Sequence, residues 1–571
     1  MSAPAPVTFP TDLEIAQSTP LLPPVEVAAQ LGIDERWLVP YGRHVAKVDP
    51  AAAEAQADRP AGTYVVVTAI TPTPLGEGKT TTAVGLAQGL HHIGHTALLT
   101  LRQPSMGPTF GIKGGAAGAG YSQVLPMEQL NLHLTGDFHA VTAAHNLLAA
   151  MIGNHLYHGN PLDIDPETIS WRRVLDVNDR ALRNIVEGLG SREDGITRQS
   201  GFDITAASEV MTMLSLATSF ADLRQRLDRI VIGRNRRGEF VTSGDLGAGG
   251  AMAVILKDAA WPNLLQTTEN TPVLIHAGPF GNIATGNSSI IADRVGIHTA
   301  DFVITEAGFG ADMGAERVFN VKCRRSGLRP EVAVLVATVR ALKAHSGRFR
   351  IVPGRPLPEE LLAESPNDVR AGASNLLKHI EIVRGFGVEP VVAINAFPTD
   401  HEADLREIER IATEVGVRSA ITTHVMDGGA GAADLAREVV MARQAATDFR
   451  YTYDLEEPLV DKITAIATKV YGADGVDIER QAAAELRLFE ERGFGNLPVI
   501  IAKTHLSISH DPRLRGAPSG WRLPIRSVRL AAGAGYVYAI AGNMRTMPGL
   551  GAHPSAERID IDETGKITGL F

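Results

Sequence analysis

The residues best placed to do chemistry are Gly76, Gly78, Lys79 and Thr80 in the stretch TPTPLGEGKTTT, Thr71 to Thr82. Glycines ahead of a Lys-Thr pair let backbone N–H groups approach an anion. The lysine then reaches terminal phosphates, and the threonine hydroxyl takes the place that phosphate-binding loops give to a Mg²⁺ ligand. One position is irregular. Where such loops have glycine this chain has Thr73, and Pro74 confines Thr73 to extended backbone, so its side chain must point away from any phosphate. The candidate nucleotide-binding residues are Thr73, Pro74, Leu75, Gly76, Glu77, Gly78, Lys79 and Thr80. The plainer alternative is an ordinary strand-to-helix turn.

A second candidate is Arg102, followed by QPSMGPTFGIKGGAAGAGY with six glycines from Gly107 to Gly120 and one lysine, Lys113. At the carboxyl end of a strand in a doubly wound sheet, Arg102 would lie beside a terminal phosphate and clamp it, or a carboxylate, with two N–H groups. Its alternative role is a surface salt bridge. Positioning these groups requires alternating strands and helices. Strand-length apolar runs are predicted at Thr63 to Ile70, Thr96 to Leu101, Pro272 to Ala277, Asp301 to Thr305, Val332 to Val336 and Pro390 to Ile394. Between the first two, Ala83, Leu86, Ala87, Leu90 and Ile93 recur at helical spacing up to Gly94, which makes one βαβ unit.

The chain has 571 residues, too many for one core, so two to four domains are expected. Breaks fall near Pro353 to Pro358 and Asp511 to Pro518, with a Gly-rich turn at Asp427 to Gly431. A net charge of −10 with scattered basic residues argues against a nucleic-acid partner. The single cysteine, Cys323, excludes an internal disulfide and a thiolate metal cluster, and fits a reducing cytoplasm. No apolar run reaches the roughly 20 residues needed to span a bilayer, and the N-terminal stretch lacks a basic start followed by an apolar core. A soluble protein is expected, with no membrane partner. His91 with His92, and His139 with His145 on opposite faces of a predicted helix, make no metal site. The stretch WRRVLDVNDRALR, Trp171 to Arg183, reads as a solvated helix of alternating charge rather than a phosphate site.

Taken together, TPTPLGEGKTTT, LRQPSMGPTFGIKGGAAGAGY, NLHLTGDFHAV, ENTPVLIHAGPFGNIATGNSSIIAD, TEAGFGADMGAE, AINAFPTD, NLPVIIAKTHLSIS and TMPGL resemble formate-tetrahydrofolate ligase, from about residue 20 to the last residue. That family also has Thr at the Thr73 position. The resemblance implies an α/β fold with a P-loop-type parallel sheet flanked by helices in a large N-terminal domain and two smaller α/β domains. The approximate division is 1–311 for nucleotide and formyl phosphate, 312–436 for folate contact and 437–571. It further implies a cytoplasmic homotetramer of one-carbon metabolism whose substrates are formate, tetrahydrofolate and ATP with Mg²⁺. Formyl phosphate would be the intermediate, and ADP, phosphate and 10-formyl-tetrahydrofolate the products. Arg102 would face formyl phosphate.

Asp137 in LTGDFHAV matches a family Asp and is the candidate proton acceptor for the folate amine; its other reading is an N-cap. Phe397 would stack the folate ring as the family's Phe does, though without that context a Phe there would more often be core. Asn395 would read the adenine edge or pin the turn. Two departures stand out. Val425 occupies a place where many members carry Trp, so the aromatic sandwich loses one side, with Met426 the neighbour able to cover the ring. Gln103 occupies a place that is commonly Glu in members activated by monovalent cations, which predicts weak dependence on potassium or ammonium. Two alternatives share parts of this pattern: the same ligase chemistry on another amine acceptor, and a P-loop ATPase that acts as a switch for partner proteins.

Overall fold

Alternate residues of the first predicted strand enter two different cores. In the computed structural model, which describes residues 9–74, 76–113, 117–349, 351, 356–445, 447–542 and 544–570, strand β1 is Thr63–Ala69 and every residue in it is buried. Tyr64 and Val66 pack with Val303 and Leu335 on one side, while Val65, Val67 and Ala69 pack with Leu86 and Leu90 on the other. A strand buried on both faces belongs inside a helix-covered parallel sheet, and its near-continuous Val run reflects that.

The helix α1 that follows, Lys79–His92, is buried along Thr81 to Leu90 because both the sheet and a later helix, Ala433–Ala442, cover it. Strand β2 is Ala97–Leu101 and helix α2 is Asp137–Tyr157. Strands β3 (Pro272–Ile275), β4 (Phe302–Gly310), β5 (Val332–Ala337), β6 (Glu389–Asn395) and β7 (Arg418–Thr422) complete the part of the sheet that carries the site. Their order is β3-β2-β4-β1-β5-β6-β7, with all neighbours parallel. Strands Leu38–Pro40, Ala46–Val48 and Asn263–Thr267 extend the β3 edge in antiparallel fashion, so the sheet is parallel-dominated and mixed. All six predicted strands are present.

The chain leaves β1 toward β2 on one side and later returns to β5 on the other. The crevice at the carboxyl ends of β1 and its neighbours is therefore the switch point where such sheets bind ligands. β1 pairs with both β4 and β5, so the sheet runs unbroken across position 311.

One expectation is corrected. Trp171 to Arg183 is not a solvated helix: Arg173–Leu175 is a strand paired in parallel with Phe202–Ile204, and Arg180–Arg183 is a short 3₁₀ turn. Asp176 and Asn178 are buried, and Asp176 accepts a hydrogen bond from the Met106 backbone N–H at 2.9 Å. Asp176 is held by Ser105 and Met106 and so braces the segment after Arg102 instead of facing solvent on a helix. Of the predicted breaks, Pro353 to Arg355 lie outside the described residues, as does Leu75 of the loop. No described helix is long and apolar enough to cross a membrane.

Candidate active site

Thr73, Pro74, Gly76, Glu77, Gly78, Lys79, Thr80, Arg102, Gln103, Phe397 and Val425 stand just beyond the carboxyl end of a strand or on the loop and helix that follow one, while Asp137 opens a helix that another helix precedes. After β1 the loop turns through Gly76 and Gly78, whose φ values of +77° and +70° lie in the left-handed region that favours glycine. A Cβ on Gly78 would sit 2.4 Å from Asn395 Nδ2. Asn395, at the end of β6, donates from Nδ2 to the Glu77 carbonyl at 3.2 Å, so it pins the turn. Its Oδ1 is buried and accepts no hydrogen bond among the described residues.

Thr73 is accommodated by Glu77. The Thr73 N–H donates to Glu77 Oε1 at 2.7 Å, and the Thr338 hydroxyl, just past β5, donates to Oε2 at 2.6 Å. Burial pushes the Glu77 carboxyl above its usual range, against those two bonds. The loop is thus closed on itself by a buried carboxyl, which does part of what a glycine at position 73 would otherwise leave to backbone freedom.

Lys79 and Arg102 converge. The Lys79 ammonium is paired with Glu306 midway along β4, and the Thr80 hydroxyl donates to the same oxygen, Glu306 Oε1, at 3.0 Å. Arg102, after β2, donates from Nη1 to the Pro279 carbonyl at 3.2 Å and lies over Gly308, where a Cβ would be 3.5 Å from Nη2. Its Nε is buried and makes no hydrogen bond among the described residues. Burial works against the Glu306 carboxylate, yet the charges of Lys79 and then Arg102 outweigh it and hold Glu306 below the usual carboxylate range. Burial lowers Lys79, Glu306 opposes that, and Arg102 adds to it. Lys79 thus pairs with the Glu306 carboxylate, and the charge of Arg102 acts on it without an ion pair between the two among the described residues.

Asp137 is the first residue of α2, whose N-cap is Gly136 with no side-chain cap, so the N-cap reading is corrected. Its carboxylate instead pairs with Lys47 at 2.8 Å, accepts from Asn263 Nδ2 at 2.8 Å and from the Thr135 hydroxyl at 3.2 Å. Gln103 is 2 % exposed, and neither amide atom makes a hydrogen bond among the described residues. Phe397 is half-buried with the Arg340 guanidinium 4.0 Å over its ring, which leaves one face for another ring. Val425 follows β7, the neighbour of β6; its carbonyl accepts from the Tyr121 N–H at 2.9 Å, and Met426 is exposed. His139 is exposed and His145 buried, on different faces of α2.

Sequence reasoning missed Glu306 and Phe309. The strand was expected to stop at Thr305, one residue short of a carboxylate in an otherwise apolar run. Phe309 has φ +63°, a strained conformation for an aromatic residue, and its ring stacks on His505 with centroids 4.6 Å apart. No local pattern announces either.

The parallel-dominated sheet and its covering helices define an α/β protein. The family model described as "Formate--tetrahydrofolate ligase" matches residues 10–571. A formate–tetrahydrofolate ligase of Cutibacterium acnes is 68 % identical over 98 % of this chain and all of that protein. One from Saccharopolyspora erythraea is 63 % identical over 99 % of this chain and all of its own length. One from Chloroflexus aurantiacus is 54 % identical over 98 % and all of its length. The chain belongs to the formate–tetrahydrofolate ligase family and is a ligase.

Proposed function

We propose that the chain joins formate to tetrahydrofolate in two steps at this crevice, through formyl phosphate. The observation that carries the reading is the pairing of Lys79 with Glu306, with Arg102 near enough for its charge to act on the same carboxylate. Formate is already an anion at neutral pH, so attack by its oxygen on the γ-phosphorus of ATP needs no base. It needs the repulsion between two anions relieved. Lys79 and Arg102 do that as preorganised positive groups, and their reorganisation cost is met in folding rather than at the moment of reaction.

ATP is cradled by the loop Thr73 to Thr80, where Gly76 and Gly78 let the backbone approach the phosphates. The Thr80 hydroxyl would help hold Mg²⁺, which would supply charge neutralisation for the phosphates. Oxygen donors 3.0 Å apart at Thr80 and Glu306 fit such a hard cation. The free Oδ1 of Asn395 supports a nucleotide contact beside its pinning role. In the second step the folate amine attacks the formyl carbon, the carbon–oxygen bond to phosphate breaks, and Asp137 takes the amine proton. Phe397 stacks the folate ring, with Val425 a weakened opposite wall. ADP, phosphate and 10-formyl-tetrahydrofolate leave.

We read the enzyme as cytoplasmic and homotetrameric. Exposed Val186, Leu189 and Ile196 lie together on the hairpin Ile185–Glu187 with Arg198–Ser200, which supports contact with another copy. Light scattering tests the assembly. The division into 1–311, 312–436 and 437–571 is retained as a proposal about which parts carry nucleotide, folate and the C-terminal region, tested by limited proteolysis. The mechanism is tested with ¹⁸O-labelled formate: label is expected in phosphate, and its absence overturns the acyl phosphate. ADP release should need formate.

A further inference from the structure

The scheme above uses Glu306 only as an oxygen donor beside Thr80, yet it holds two groups of the phosphate-binding loop on one oxygen. It lies midway along β4, the strand beside β1, where regular pairing of the two strands ends, in register with Val67. It is 4 % exposed, and a single oxygen, Oε1, takes both the Lys79 ammonium and the Thr80 hydroxyl. Its Oε2 accepts no hydrogen bond among the described residues. The two groups it holds are the two that a phosphate-binding loop directs at nucleotide and metal. A carboxylate there is a competitor of the phosphates for Lys79, and by itself it repels them.

That repulsion disappears if a divalent cation stands between carboxylate and phosphates. Such a cation attracts a carboxylate more strongly than an ammonium does, and the ammonium is then released to a phosphate. Resting on the nucleotide reading above, we propose that Glu306 is an exchange carboxylate: it holds Lys79 and Thr80 in place, and passes from Lys79 to the divalent cation when nucleotide and metal enter together. Oxygen donors suit magnesium, which commonly takes one or two carboxylates along with substrate phosphates. The exchange ties nucleotide affinity to the metal, because metal-free ATP must take Lys79 from Glu306 while receiving nothing in return. It also makes Glu306 a determinant of which form of the nucleotide enters the crevice.

The sign of the effect separates this role from mere support of the loop. ATP binding is titrated calorimetrically on the full-length protein in EDTA and in excess Mg²⁺, for the natural chain, Glu306→Gln and Glu306→Asp. The natural chain is expected to gain at least tenfold in affinity from Mg²⁺. Glu306→Gln should bind metal-free ATP as tightly as the natural chain or up to several-fold tighter, and should gain less than about twofold from Mg²⁺. Glu306→Asp should recover part of the Mg²⁺ gain. Loss of affinity by Glu306→Gln equally in EDTA and Mg²⁺ would overturn the proposal, as would a full Mg²⁺ gain in that variant. If the natural chain binds ATP under neither condition, the nucleotide reading itself falls. If it binds ATP with no Mg²⁺ gain, only the exchange falls.

Discussion

Lys47 Nζ stands 2.8 Å from Asp137 Oδ1, and the two side chains are 2 % and 3 % exposed. Lys47 comes from the strand Ala46–Val48 in the antiparallel extension of the sheet, opposite Asn263, which itself donates to Asp137 Oδ2 at 2.8 Å. The antiparallel edge of the sheet therefore reaches under the site and fixes the candidate proton acceptor. Removing one member of a buried pair leaves an uncompensated charge, which costs about 3–5 kcal/mol. Lys47→Met should lower the unfolding free energy from urea titrations by that order, and Lys47→Met with Asp137→Leu should recover much of it. Asp137→Asn is expected to slow formyl transfer to tetrahydrofolate while hydroxylamine still traps formyl phosphate. Transfer at the natural rate in Asp137→Asn would remove Asp137 from the chemistry.

Among the described residues Arg102 makes one hydrogen bond, to the Pro279 carbonyl, so its removal disturbs little structure there. Losing a preorganised positive group aimed at developing charge costs about 3–4 kcal/mol of barrier. Arg102→Ala should cut formate-dependent ADP release by roughly 10²- to 10³-fold. Its unfolding midpoint should stay near that of the natural chain, and a loss under tenfold with intact folding would show that Lys79 suffices.

Much of this arrangement is legible in the sequence, and the illegible part has a common cause. Strand positions follow from apolar runs, because a strand buried on both faces leaves a plain trace. Lys79 and Thr80 follow from loop chemistry that is local in the chain. Glu306 and Lys47 act on residues 227 and 90 positions away, and nothing nearby in the sequence marks them. The Trp171 to Arg183 segment misled for the same reason. Its alternating charges look solvated, yet Asp176 is drawn inward by Ser105 and Met106, partners from a distant loop.

Gln103 is enclosed with both amide atoms unpaired among the described residues, beside the backbone bond from its N–H to the Ala277 carbonyl at 2.7 Å. An amide oxygen can still touch a cation, but it lacks the charge that concentrates one. Rates in sodium, potassium and ammonium salts should therefore differ by less than about twofold for the natural chain. Gln103→Glu should become responsive to potassium or ammonium. A strong cation dependence in the natural chain would contradict this account.

Val425 is tightly backed: a Cβ on Gly120 would lie 2.8 Å from Val425 Cγ1. A larger side chain cannot turn that way, so in Val425→Trp the indole is expected to turn outward, where Met426 is exposed. One face of Phe397 is already covered by Arg340, so a new indole opposite the other face would complete a stack worth about 0.5–1.5 kcal/mol. Tetrahydrofolate should bind roughly two- to tenfold tighter in a titration. Unchanged or weaker binding would place the folate ring elsewhere.

His145 carries a pH dependence whose sign is fixed by its surroundings. It is buried in α2, stacked on Trp171 with ring centroids 4.0 Å apart, and its Nε2 lies 2.8 Å from the Arg172 carbonyl. Burial lowers it from the ordinary 6.5 to about 4, the carbonyl only partly opposing. Between those values the unfolded chain binds a proton that the folded chain refuses. Stability from this group is thus complete above pH 6.5 and is lost as pH falls toward 4. Other groups titrate in the same window, with Glu209 and Glu316 raised to about 7 by burial and acting in the opposite sense, so the total slope is a poor test. The difference between two chains isolates the residue. In urea titrations at pH 5 and pH 6, His145→Gln should show a stability slope smaller by close to one proton, about 1.4 kcal/mol per pH unit. Parallel slopes in the two chains would mean that His145 accepts a proton inside the fold, and that its burial against Trp171 does not hold in solution.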